Sequence, residues 1–213
     1  MMIKKEMKPR FVGLLRRVCL RMTLAFVGLV LGASCTSGSP FVVVDNPSDS
    51  TITFVVDATT YTLDPKSSME LALPVGEHTL TSPQGKQSAF TRQEYEEKSL
   101  LNPLEASYVI VTTAYTDSEQ ERNIFLEQMY QLIEVNGRYY YGPLQVINAP
   151  YTARTSSGEP WEYGLDEDFE DEIRVNAGGS TSINIKKAKI YRAEDFVKAY
   201  ADLEVDPSEL NQQ

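Results

Sequence analysis

The fold class is decided by residues 41–85, which read FVVVDNPSDSTITFVVDATTYTLDPKSSMELALPVGEHTLTSPQG. Short runs rich in valine, threonine and leucine alternate there with clusters of turn-forming residues, as at 45–49 and 74–76. Within several runs the large apolar residues recur at every second position, which is the period of a strand with one buried face. The pattern predicts a small antiparallel β-sandwich over residues 41–90.

The same stretch follows the order Val-Asp … Tyr-x-Leu-x-Pro … Leu-x-Leu-Pro-x-Gly-x-His-x-Leu … Gly. This order resembles small carbohydrate-binding-like and PEGA-like β-sandwich modules of bacterial envelope proteins, although the literal Pro-Glu-Gly-Ala string is absent. The resemblance implies a spacer or binding module. The residues that carry it are Val56, Asp57, Tyr61, Leu63, Pro65, Leu71, Leu73, Gly76, His78, Leu80 and Gly85.

A second β-rich module of the α+β type is predicted over residues 103–204. Residues 108–115, YVIVTTAY, have apolar side chains on both faces, as in a central strand. Asn136 and Gly137 supply the positive φ angles of a type I′ turn and predict a β-hairpin around them. Apolar residues within 193–203 recur at helical spacing and predict a C-terminal helix.

The segments around the two modules complete the predicted organisation. Thr91 and Glu94 have capping-box spacing, so residues 91–102 are predicted to form a linker helix. Residues 205–213 are predicted to be a frayed tail. The expected fold class is therefore mainly β, with a small antiparallel β-sandwich followed by a β-rich module that ends in a helix.

The N-terminal residues have the composition of a secretory leader. Residues 1–21 carry seven Lys or Arg and one acid, whereas residues 22–34, MTLAFVGLVLGAS, carry no charge. This apolar run is shorter than the about 20 residues that a membrane-spanning helix needs. We therefore predict a signal peptide over residues 1–34 and a tether over residues 35–40.

The end of this leader, residues 31–35, reads LGASC. It resembles the lipobox of bacterial lipoproteins, with Gly32 where leucine is usual. The resemblance implies that the leader is cut before Cys35, that the Cys35 thiol carries a diacylglycerol, and that the new amine is acylated, with palmitate among the chains. Cys19 lies in the leader, so mature Cys35 has no disulfide partner in its own chain. Thr36 resembles the class that is sorted to the outer membrane.

Charge and missing motifs exclude several kinds of function. The whole chain has a formal net charge of −10, and removing seven basic residues and one acid with the leader would make it −16. This balance argues against nucleic acid as a partner. The chain lacks Gly-x-Ser-x-Gly, a phosphate-binding Gly-Lys-Ser/Thr loop and His-Glu-x-x-His. We therefore predict no catalytic residue, metal ligand or cofactor, and a structural role for His78, the one histidine.

Aromatic residues concentrate between positions 130 and 163, and they have two interpretations. They form either a stacking platform for sugar or peptide, or cross-strand pairs and core. Tyr139 and Tyr141 fall on one face of a strand and Tyr140 on the other, so the three are not all buried alike. The candidate ligand-binding residues are Tyr139, Tyr141, Trp161 and Tyr163.

Two charged stretches leave alternatives open. Residues 166–172, DEDFEDE, form a solvated loop, a Ca²⁺ site in which Asp171 replaces the glycine of an EF-hand loop, or the carboxylate pair of a glycosidase. The basic residues within 186–192 protect an exposed edge strand, or else they dock to an acidic partner or to this acidic run.

The function predicted from these features is that of a lipid-anchored protein of the bacterial cell envelope, at the outer membrane, that acts as a binding or scaffold module without catalysis. Its partners would be the membrane, through a lipid on Cys35, and an envelope protein or glycan. One alternative is an accessory subunit of a surface appendage or secretion complex. The other is a glycan-acting enzyme that uses carboxylates of residues 166–172.

Overall fold

The structure of the protein, a computed structural model, describes residues 2–4, 41–94, 96–116, 118–155, 161–170, 172–174 and 185–210. The mainly β fold class and the C-terminal helix are confirmed. The strands are β1 Met2–Lys4, β2 Phe41–Asn46, β3 Ile52–Val56, β4 Thr59–Leu63, β5 Ser67–Ala72, β6 Gly76–Thr81, β7 Gln87–Arg92, β8 Glu96–Leu101, β9 Tyr108–Tyr115, β10 Gln131–Val135, β11 Arg138–Gly142, β12 Leu144–Ile147, β13 Tyr151–Thr155, β14 Glu172–Arg174 and β15 Ile185–Arg192. The helices are α1 Glu119–Glu127, α2 Ala193–Ala199 and α3 Pro207–Leu210, with a 3₁₀ turn at Ala201–Leu203.

Two four-stranded sheets form the β-sandwich. The junction sheet, which contacts the second module, has the order β13-β8-β2-β5, and the outer sheet has the order β4-β3-β6-β7. Alternate side chains of their strands point between the sheets because successive residues of a strand face opposite ways. The largest apolar contributors to this core include Val42, Val44, Ile52, Phe54, Val56, Leu71, Leu80, Phe90 and Leu101.

The sandwich also recruits strands from outside residues 41–90. Strand β8 pairs in parallel with β2, and β13, from the second half of the chain, pairs antiparallel with β8. The strand pairings within the predicted sandwich are all antiparallel, as expected, and the parallel pairing arises only where β8, from outside it, joins β2. A parallel pair needs a long crossover between its strands, and here that crossover comprises the whole outer sheet together with β5.

The predicted linker helix over residues 91–102 is wrong. Residues 91 and 92 end β7, and Glu96–Leu101 form β8. The Glu96 carboxylate accepts a hydrogen bond from the backbone N–H of Gln93, at 2.8 Å, which joins a different pair of residues from the predicted capping box of Thr91 and Glu94. A strand follows because Leu100 and Leu101 are both buried, one on each face of the junction sheet.

The second module is built on a three-stranded antiparallel sheet of order β12-β9-β15. All eight residues of β9 are buried, as expected for a central strand. Strands β10 and β11 form the predicted hairpin, with φ angles of 51° at Asn136 and 76° at Gly137. Phe196 of helix α2 and Tyr200, which directly follows the helix, cover one face of the module.

The two modules share a core. Leu100, from the face of the junction sheet opposite the sandwich core, packs with Tyr108, Ile110 and Ile190 of the three-stranded sheet and with Trp161. At the edge of this core, the Tyr108 hydroxyl donates to the buried Asp45 carboxylate at 2.9 Å. The junction sheet is therefore buried on both faces around these contacts.

Candidate functional site

The hairpin of β10 and β11 has one buried and one exposed face. Ile133, Val135 and Tyr140 point inward, and the Tyr140 ring lies edge-on to Phe196 with centroids 4.9 Å apart. The opposite face carries Leu132, which pairs across the strands with Tyr141, and Glu134, which pairs with Tyr139. These four outward side chains are all exposed, as strand alternation requires.

This exposed face continues onto neighbouring elements. The Tyr130 ring lies 5.5 Å from that of Tyr141 at a tilt of 59°, and Ile124 adds an apolar side chain from α1 that is 64 % exposed. Of the seven large apolar side chains exposed among the described residues, five lie together here. Such clusters on a protein surface are typical of interaction sites. We call this set the aromatic face: Ile124, Tyr130, Leu132, Tyr139 and Tyr141.

Polar groups border the aromatic face. A shallow groove of about 340 Å³ lies between α1 and the hairpin, with Tyr130 and Tyr141 on one side and Asn123 and Glu127 on the other. Both of these polar side chains are exposed, so their amide and carboxylate groups are accessible to a ligand that rests on the rings. Apolar ring faces next to hydrogen-bonding groups suit an amphipathic ligand.

The hairpin that carries the face is held in place from both sides. The Gln131 side chain donates a hydrogen bond to the backbone carbonyl of Leu144 on β12. On the other side, the backbone N–H of Val205 donates to the carbonyl of Tyr139 at 2.9 Å, and Arg138 pairs with Glu204 at 3.1 Å. These contacts keep the aromatic face on a fixed backbone, which limits the entropy that binding would cost.

The structure does not bring the four candidate ligand-binding residues together. Tyr139 and Tyr141 lie on the aromatic face, 38 % and 40 % exposed. Trp161 is 3 % exposed and belongs to the core between the modules. Tyr163 is half-buried, with its ring 5.2 Å from Phe169. Ile124, Tyr130 and Leu132 are members of the face that we did not predict as site residues, and of the three only Tyr130 had a signal in the sequence, its place in the aromatic-rich segment.

The acidic run at residues 166–172 is tied to basic side chains of β8 and β15. The hydrogen bond from Lys98 lowers the pKa of Glu167, which is opposite to the raised pKa of a glycosidase general acid. No three His, Cys, Asp or Glu side chains within the described residues are grouped as a metal site. Position 171 and the side chain at 172 lie outside the description. The ion pairs are Asp166–Arg192 at 3.4 Å, Glu167–Lys98 at 2.8 Å and Asp168–Lys189 at 3.3 Å.

These pairs bear on the two interpretations of the basic stretch. Strand β15 is an edge strand of its sheet, which is where lysines protect against edge-to-edge pairing. Its Lys189 and Arg192 also dock to the acidic run of the same chain. Residues 162 and 163 form backbone hydrogen bonds with Ala188 and Ile190 of β15, so this edge is covered around Lys189, and the ion pairs support the docking interpretation there.

The predicted lipidation site, Cys35, lies outside the described residues. Of the predicted leader, the structure describes only β1, Met2–Lys4, which pairs antiparallel with β14. Across the described ranges, no helix has the length and apolar character that crossing a membrane requires.

His78 is held by two hydrogen-bond acceptors in the outer sheet. Its Nδ1 lies 2.9 Å from the Asp57 carboxylate, and its Nε2 lies 2.8 Å from the backbone carbonyl of Pro74. Both nitrogens donate at once only when the ring is protonated. Burial lowers the pKa of the ring and Arg92 lowers it slightly, but the hydrogen bonds and the charge of Asp57 outweigh them, so the pKa is raised above 6.5.

We expect the stability of the protein to fall as the pH rises through the raised pKa of His78. The unfolded ring titrates at about 6.5, so the contribution of His78 is complete below that pH and lost above the folded pKa. Because Asp57 is 49 % exposed, solvent screens the pair and the change should be modest. Urea unfolding at about pH 6 and about pH 8.5 measures it, and His78→Gln should remove the difference. If the stability of His78→Gln depends on pH as strongly as that of the wild type, His78 is not the source of the pH dependence.

Comparison with known proteins finds no family model, curated protein or solved structure that matches the chain.

Proposed function

We propose that this protein is anchored in the bacterial cell envelope, at the outer membrane, by a lipid on Cys35, and that it binds an envelope glycan through the aromatic face. The observation that carries the binding proposal concerns the part of the chain that the structure describes, where five of the seven exposed large apolar side chains cluster on the hairpin and the adjacent helix. Exposed apolar surface opposes solubility, and a cluster of this kind is explained by a partner that covers it.

The chemistry of the face favours a saccharide. Sugar rings have apolar faces, which stack on aromatic side chains, and hydroxyl groups, which bond to amides and carboxylates. The groove offers both, with Tyr130 and Tyr141 beside Asn123 and Glu127. Tyrosine also brings a large contact area at a small cost in side-chain entropy.

We expect Tyr141→Ala to weaken glycan binding about tenfold, the equivalent of roughly 1.4 kcal/mol, because Tyr141 lies between Tyr130 and Leu132 at the centre of the face. Its exposure limits the loss of folding stability to about 1 kcal/mol. Co-sedimentation of the purified protein with insoluble envelope glycan measures the affinity.

The matched control is Phe41→Ala, because Phe41 is a 43 % exposed aromatic residue on the sandwich, away from the hairpin. It should bind glycan like the wild type. Equal binding by Tyr141→Ala and the wild type, or no binding by either, would refute the proposed glycan site. If envelope protein rather than glycan is retained, and only by the wild type, the face is a protein-binding surface.

A further inference from the structure

A cavity of about 210 Å³ lies where the junction sheet meets residues 161–167. Its walls are predominantly apolar, and the deepest of them belong to the core between the modules. Leu100 and Trp161 are 3 % exposed and Ile190 is 1 % exposed, whereas Phe41 is 43 % exposed and opens one side to solvent. The apolar lining residues are Phe41, Val43, Leu100, Trp161, Leu165 and Ile190.

The size of the cavity limits its occupant to a small molecule. In proteins generally, an apolar cavity of about 150 Å³ admits a benzene ring. The present volume of about 210 Å³ therefore accommodates one six-membered ring with a short side chain. Because Trp161 and Phe41 line the cavity, an aromatic ring would find stacking or edge-on partners there.

The charges at the rim favour a cation. The Lys98 ammonium group is already engaged, since it lies 2.8 Å from the Glu167 carboxylate and donates to the backbone carbonyl of Glu162. Glu70 lines the cavity as well, is exposed, and has no ion pair with any residue in the described ranges. The rim thus has one uncompensated negative charge, and an anion would have to displace Glu167 from Lys98.

We propose that this cavity binds a small aromatic amine, with its ring against Trp161 and its ammonium group paired with Glu70. The site is separate from the aromatic face, because it lies on the junction sheet and is built from different residues. Its existence does not depend on the glycan-binding proposal, nor on the lipid anchor.

The one tryptophan of the chain is Trp161, so the intrinsic fluorescence of the protein reports on the occupancy of the cavity. The probe is 2-phenylethylamine, titrated into the protein as purified from cells. The matched probe is 3-phenylpropionate, which has the same ring on a short chain but carries a carboxylate. We expect a saturable fluorescence change with the amine and an affinity at least about tenfold lower for the carboxylate.

Two variants test separately the contribution of the Glu70 charge and that of the space in the cavity. Glu70→Gln should weaken binding of the amine about fivefold, which is the size of effect expected from losing an exposed ion pair. Glu77 is an exposed glutamate of the outer sheet, so Glu77→Gln should leave the affinity for the amine unchanged. Gly164→Leu should abolish binding of both probes by filling the cavity. A Cβ atom at Gly164 meets nothing closer than the Glu167 side chain at 3.6 Å, so this variant should fold, which its thermal unfolding checks.

The proposal is overturned if the wild type gives no saturable change with the amine. It is equally overturned if both probes bind alike, if Glu70→Gln binds the amine as the wild type does, or if folded Gly164→Leu retains full affinity. Loss of glycan binding in the Tyr141→Ala variant leaves these expectations unchanged, because Tyr141 does not line this cavity.

Discussion

Asp45→Ala is expected to lower the free energy of unfolding by about 3–5 kcal/mol, the cost of leaving a buried charge without its partner. Asp45 is fully buried on β2 and accepts hydrogen bonds from the Arg192 guanidinium, with Nε at 3.0 Å, and from the Tyr108 hydroxyl at 2.9 Å. Arg192 is only 12 % exposed, so it would lose its partner away from solvent. Since small domains are stable by about 5–15 kcal/mol, this loss is large.

Urea unfolding of the purified variants measures the effect, and Asp49→Ala is the matched control. Asp49 is 86 % exposed and lies 3.4 Å from Lys66, so its loss should cost no more than about 1 kcal/mol. The double variant Asp45→Ala/Arg192→Met removes both charges and should be less destabilised than the sum of the single variants. Additive losses would mean that the two side chains do not stabilise each other.

The same contact explains why the two modules are expected to unfold together. Asp45 lies on the sandwich, whereas Tyr108 and Arg192 belong to the second module. Asp166 and Asp195 lie 3.4 and 3.8 Å from the Arg192 guanidinium, but they are 71 % and 49 % exposed and replace little of the buried partner. Removing Asp45 therefore weakens the contact between the two modules at the edge of the core that they share.

Cys35→Ala is expected to abolish lipid attachment completely. Each methylene of an acyl chain contributes roughly 0.8 kcal/mol to membrane binding, and stable anchoring takes more than one chain. The variant should incorporate no labelled palmitate, and it should migrate as the longer, uncut precursor, because processing in the lipoprotein class follows modification of the thiol. Metabolic labelling with palmitate and electrophoresis of the labelled cells measure both effects.

Cys19→Ala is the control, because Cys19 is the other cysteine of the chain and lies inside the predicted leader. It should be labelled and processed like the wild type. Labelling of Cys35→Ala at the wild-type level, or its unchanged migration, would refute the anchor. Cleavage before Cys35 would also remove β1, Met2–Lys4, so its pairing with β14 would be confined to the precursor.

Local periodicity was enough to predict the faces of the hairpin. Strand alternation separates Tyr139 and Tyr141 from Tyr140, and the structure exposes the first two and buries the third. Asn136 and Gly137 placed the turn because few other residues adopt its positive φ angles. Helix α1 likewise has a local signal at its start, where the Ser118 hydroxyl caps it by accepting from the N–H of Glu121 at 3.2 Å.

No local signal in the sequence indicated that Trp161 is buried or that residues 96–101 form the strand β8. Trp161 is covered because the junction sheet and β15 converge on it, and the segment 161–163 is fixed there by backbone hydrogen bonds to Ala188. Likewise, β8 is a strand because β2 and β13, from distant parts of the chain, supply its hydrogen-bond partners. Capping-box spacing alone favoured a helix over those residues, since it reports only on interactions within a few positions.

The sequence by itself therefore determined the mainly β class, the hairpin with its two faces and the C-terminal helix, whereas the leader ending at Cys35 stays a prediction. Only the tertiary structure decided which of the aromatic residues are exposed together, and that a cavity lies beside Trp161. It also decided that Asp45 and Arg192, 147 positions apart, form a buried ion pair. The physical reason is that periodicity reveals which side chains share a face, whereas the element that covers the face comes from elsewhere in the chain.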